Sequence, residues 1–220
     1  MKKLLVILII LSAFLMTSCN NKPQNDVIEN EISVSDEKTE EVTEKVEEEK
    51  SLSDEEKAIN LVNSYVNAAK NLDFEKMEKY ITDSSSHPIL ESYRQAYSKY
   101  SIADEKIKEL CKARLGTYKI IPLTAVKNGS DIIVNVSIST VNMESLQNKW
   151  METLCNKYPE YTTLSEDEMT PDVVEVLIET MIDVLKEAEA SEEIKKDFTV
   201  NTNSESWVIN ANNGDFFPSK

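Results

Sequence analysis

Glycine is nearly absent from this chain. Gly116, Gly129 and Gly214 are the three among 220 residues, and they cannot build GxGxxG or GxxxxGK, so phosphate-cradling nucleotide loops are excluded. Histidine occurs once, which rules out multi-histidine metal centres and leaves one candidate for a Ser–His or Cys–His pair. Its setting, Ser84-Ser85-Ser86-His87-Pro88, reads as a polar loop and cap before a helix-opening proline, not as a nucleophile elbow. Only Arg94 and Arg114 among the 24 basic residues are arginines, so the planar fork that grips phosphate is scarce. Against a formal net charge of −16, that scarcity argues against nucleic acid as a partner. There is no CxxC pair among the three cysteines.

What is present begins with a short apolar run. Lys2 and Lys3 precede a hydrophobic stretch over 4–16, which closes on Leu15-Met16-Thr17-Ser18-Cys19. As a helix, that stretch covers about 20 Å at ~1.5 Å per residue, short of the roughly 30 Å hydrocarbon core of a bilayer. Residues 1–18 therefore read as an export signal and not as a membrane span. The charged, apolar and small-residue order ending on Cys19 resembles the lipobox of bacterial lipoproteins, with Met16 where leucine is usual. The resemblance implies cleavage before Cys19 and lipid on its sulfur, palmitate among the acyl chains. The membrane, through that lipid, is then the first partner, and the protein sits at its extracytoplasmic face.

Residues 19–52 are rich in Glu, Lys, Ser, Thr and Asn, without an aromatic residue or a sustained apolar period, and read as a disordered acidic tether. The folded domain is expected over 53–220. Ser53 followed by Glu56 is a capping box, and Ala58, Ile59, Leu61, Val62, Tyr65, Val66 and Ala69 repeat at helical spacing. Asp73 caps a second helix, and a polar loop over 82–86 leads to a third that Pro88 opens. A fourth runs to Gly116. The period then changes to two. Lys127-Asn128-Gly129-Ser130 is a hairpin turn, Ile132, Val134, Val136 and Ile138 share one strand face, and Pro122 marks an edge or a bulge. Two further helices, over 143–157 and 171–188, precede strands over 197–201 and 206–210.

The fold class is thus α+β: N-terminal helices packed on a curved antiparallel sheet of about four strands, with a two-helix insertion before the last hairpin. The Ala58 to Phe74 stretch, the alternating Ile132 to Thr140 strand and the Ser206-Trp207-Val208-Ile209 strand carry a further resemblance. They are similar to the cystatin-like roll, the nuclear-transport-factor-2-like superfamily, as found in uncharacterised lipoproteins of Gram-positive bacteria behind an acidic linker. Such rolls enclose a cavity between sheet and helices, and the resemblance makes Tyr65, Tyr93, Tyr97 and Trp207 the candidates to line it.

Composition points to no cofactor and no metal. The acidic run Glu166-Asp167-Glu168 and the turn over 201–205 offer oxygen ligands, but neither fits an EF-hand loop, and a solvated turn describes both better. Cys111 and Cys155 fall in helices and are expected reduced and buried as small hydrophobes, a disulfide being the alternative. Without a nucleophile setting, a phosphate loop or metal spacing, the expected function is a non-enzymatic binding or accessory domain. Its partner would be a surface protein, a peptide, a glycan or a small apolar ligand. The alternative is a small hydrolase, isomerase or dehydratase using the roll's cavity.

Overall fold

The computed structural model describes residues 52–83, 87–202 and 206–218. The signal peptide, Cys19 and the tether up to residue 51 lie outside them, as do residues 84–86 and 203–205. Helix α1, Asp54–Lys70, starts at the capping box: Glu56 N donates to Ser53 Oγ at 3.1 Å, and Ser53 N donates to Glu56 Oε2 at 2.8 Å. Leu72, at φ +55°, reverses the chain, and Asp73 caps α2, Phe74–Tyr80, by accepting from Lys76 N. A short strand β1, Ile81–Asp83, follows, then α3, Pro88–Tyr97, and α4, Asp104–Gly116. The hairpin is β2, Lys119–Asn128, and β3, Asp131–Thr140; α5, Met143–Lys157, and α6, Pro171–Lys186, form the insertion. Strands β4, Glu192–Asn201, and β5, Val208–Asn212, and a helical turn, Asn213–Phe216, close the chain.

The fold is α+β. The sheet runs in the order β1-β5-β4-β3-β2, antiparallel except where β1 pairs parallel to β5 through Ile81 and Ile209. Helix α1 lies across β2 and β3, and α4 reaches from α1 to α6. The core side of the sheet is the face the alternation picks out, since Ile132, Val134, Val136 and Ile138 are all buried. Gly129, at φ +64°, makes the hairpin turn. Pro122 sits on an edge strand, where the register to β3 shifts between Pro122 and Thr124, as a residue without a backbone N–H requires.

Four local expectations change. Ile81, expected at the end of the second helix, and Thr82-Asp83, the first part of the expected loop, form a fifth strand, because three residues are too short to carry a period but find β5 alongside. Strand β4 starts at Glu192, five residues early, because Glu193, Lys195 and Asp197 on its open face hide the alternation. His87 is not a loop residue in solvent but is wholly buried, and it makes no side-chain capping bond. Cys111 is buried but Cys155 is exposed, and both are free thiols. The buried stripe of α5 is Leu146, Trp150 and Leu154, and the next residue points about 100° away from it.

Candidate functional site

The Phe216–Pro218 segment packs into the interior and gathers around it most of the buried polar chemistry. Phe216 stacks on Phe198 of β4, with centroids 3.9 Å apart, and meets Tyr65 of α1 at 4.8 Å. Phe217 lies between two rings, with His87 at 5.2 Å and Tyr118 edge-on at 5.3 Å. The Tyr118 hydroxyl donates to the Pro218 carbonyl at 2.9 Å, and Lys196 Nζ donates to the Asp215 carbonyl at 3.2 Å.

Beneath this cover is Arg114, 5% exposed, in the last turn of α4. Its Nη1 donates to Thr117 Oγ1 at 3.0 Å and to Thr140 Oγ1 at 3.4 Å, and its Nη2 donates to Tyr118 Oη at 3.3 Å. The guanidinium carbon also lies 5.0 Å from the centre of the Tyr118 ring, in reach of a cation–π contact. Among the described residues no carboxylate pairs with it. Burying one charge without a counter-charge costs several kcal/mol, and arginine cannot escape by losing its proton. A second cation borders the same tyrosine: Lys70 Nζ donates to the Tyr118 carbonyl at 2.6 Å, and burial lowers its pKa.

His87 adds a buried neutral base, since neither ring nitrogen has a hydrogen-bond partner among the described residues and desolvation pushes its pKa down to about 4. Burial raises the pKa of Tyr93 well above its ordinary value, with Arg114 opposing, and raises that of Tyr118 in the same way. All three groups are therefore uncharged at neutral pH, and the charges described at the cluster are cationic, Arg114 within it and Lys70 at its border.

The four candidate aromatics separate. Tyr65 sits at the closing segment, and Tyr93, whose ring is 6.5 Å from that of Tyr97, lies close enough to Arg114 to feel its charge. Tyr97 is buried lower on α3. Trp207 is half-buried at the surface with Lys57 Nζ 5.7 Å over its ring, away from this cluster. A shallow groove of about 220 Å³ between the start of α5 and the end of α6, lined by Leu146, Lys149 and Glu187 among others, includes none of the four.

No protein-family model matches the chain, and no curated protein matches it. A crystal structure of YcdA from Bacillus subtilis, described as a candidate lipoprotein, is similar at 13% identity with a TM-score of 0.47, over 68% of this chain. The match spans half the length of that protein.

Arg114 and the aromatic doublet Phe216-Phe217 were the residues missing from the sequence expectations. A signal existed for the first: Ile107, Leu110 and Cys111 mark the buried stripe of α4, and Arg114 is the next position on it. The acidic run takes local roles instead, with Glu166 paired to Lys99 and Glu168 accepting from Ser165 N and Oγ.

Proposed function

We propose that the chain is an extracytoplasmic lipoprotein, anchored by lipid on Cys19 and spaced from the membrane by residues 20–52, whose domain is a non-enzymatic binding module of the cystatin-like roll type. The lipobox-like order ending on Cys19 supports the anchor, and two or three acyl chains suffice to hold a protein where one is marginal. No described helix is long and apolar enough to cross a membrane.

The observation that carries the binding reading is the buried Arg114, whose hydrogen bonds among the described residues go to hydroxyls beneath an aromatic cover. A fixed buried charge with neutral partners is an affinity held in reserve for an anionic group. Hydrolase, isomerase or dehydratase chemistry in such a cavity calls for a buried carboxylate of raised pKa. The described residues buried as a whole with polar side chains are His87, Arg114, Thr117, Ser137, Thr140 and Thr180, with no Asp or Glu among them; Asp131, whose Oδ1 is buried without a hydrogen-bond partner among the described residues, stands at the hairpin turn between β2 and β3.

Fractionation of bacteria expressing the chain and its Cys19→Ala variant tests the anchor. The expected result is that wild type is recovered with membranes and takes up labelled palmitate, and that the variant does neither. A variant that stays membrane-bound sinks the lipoprotein assignment.

A further inference from the structure

We infer that the space filled by the Phe217 ring and the Pro218 carbonyl is a binding site for an aromatic carboxylate, in which the chain's own Phe217-Pro218 stands as a surrogate; this rests on the binding-module reading above. The surrogate has the two parts such a ligand needs. Its ring is held between His87 and Tyr118, at 5.2 and 5.3 Å. Its acceptor oxygen accepts a hydrogen bond from the Tyr118 hydroxyl at 2.9 Å, and that same hydroxyl accepts from Arg114 Nη2 at 3.3 Å. The acceptor position is therefore one hydroxyl away from a buried guanidinium.

A peptide carbonyl at that position satisfies the tyrosine, and among the described residues no carboxylate compensates the arginine's charge. A carboxylate there compensates it, and charge-assisted bonds in a site shielded from water are the stronger kind. His87 points to the same occupant from the other side. It is fully buried, tilted against the Phe217 ring and with both nitrogens unpartnered among the described residues, so a polar edge lies where a plain core would place a hydrocarbon. The cover is also slight: a four-residue helical turn follows a strand with three register pairs to β4, and segments with few supporting bonds are those that open locally.

The test uses the full chain purified in detergent, as wild type and as Phe217→Ala, titrated calorimetrically with 3-phenylpropionate, 3-phenylpropanamide and propionate. Deleting a buried ring can by itself create a hole that takes up rings, so the neutral amide is the control. The expected result is that Phe217→Ala binds 3-phenylpropionate about tenfold more tightly than the amide, with propionate weaker still. Wild type should prefer the acid in the same order with weaker affinity, because its surrogate competes. In the Phe217→Ala background, Arg114→Gln should bring the acid down to the amide's level, while Arg114→Lys keeps the preference.

Equal binding of acid and amide would overturn the anionic assignment while leaving a binding module in place. Binding of neither probe, to wild type or to folded Phe217→Ala, would overturn the site altogether, and the fate of the Cys19→Ala fractionation is independent of both. Should Phe217→Ala not fold, Phe217→Leu and wild type carry the same comparison.

Discussion

The rings of His87 and Phe217 pack against each other with centroids 5.2 Å apart and planes inclined by 54°. This contact joins the residue that precedes α3 to the segment after β5, and it holds the only imidazole of the chain buried, with no hydrogen-bond partner among the described residues. A histidine held that way is a liability in acid, because charging it means either burying an unpaired cation or expelling the ring.

The pH dependence follows in sign and window. The folded-state pKa of His87 is lowered from 6.5 to about 4, so the unfolded chain binds more protons between those values. Stability from this group is full above pH 6.5 and is lost as pH falls toward 4, by about 3 kcal/mol over the whole range. Urea melts of wild type and His87→Leu at pH 7.0 and about pH 5 measure it: wild type should lose stability relative to His87→Leu as pH falls, by about 2 kcal/mol between the two, whichever protein is the more stable at pH 7.0. A difference independent of pH would mean that the imidazole is solvated in the folded state.

Phe216 should be the more costly of the two closing rings to remove. It is fully buried between Phe198 and Tyr65, so Phe216→Ala removes a stacked pair and leaves a cavity, at about 3–5 kcal/mol. Chemical denaturation of the two proteins reads this directly, and a loss under about 1 kcal/mol would mean that the segment is not docked in solution.

Much of this fold was legible because its longer elements state their period plainly. Ser53 and Glu56, Asp73, Pro88 and the Asn128-Gly129 turn each mark a boundary where the structure has one. Strand β1 and the start of β4 were not legible, for physical reasons. A three-residue strand has no alternation to read, and a strand whose open face carries Glu193, Lys195 and Asp197 looks like a surface loop. The candidate site was half legible. Tyr65 and Tyr93 were singled out as polar-tipped aromatics, whereas the partner that gives Tyr93 its electrostatic setting, Arg114, looks in sequence like one more surface cation near a helix end.

The two cysteines outside the signal region should differ in reactivity and not in oxidation. Burial pushes the Cys111 thiol up to about 12, while Cys155 lies exposed on α5. Brief treatment of the native protein with iodoacetamide should label Cys155 and spare Cys111 until denaturant is added. Resistance of both thiols to alkylation in denaturant without reductant would reveal a disulfide in place of the two free thiols.

The last prediction sets two glycines against each other. An added Cβ at Gly129 or at Gly116 meets nothing within 4 Å, so neither substitution to alanine is decided by packing. Backbone conformation decides both. Gly129 holds φ at +64°, where an L side chain costs roughly 1–2 kcal/mol, so Gly129→Ala should destabilise by about that much. Gly116 closes α4 without a positive φ, and alanine there trims the entropy of the unfolded chain, so Gly116→Ala should stabilise by about 0.5 kcal/mol. Equilibrium denaturation of the pair gives opposite signs if β2 and β3 form this hairpin. If the turn has another register, Gly129 leaves the left-handed region, and its substitution becomes as harmless as that of Gly116.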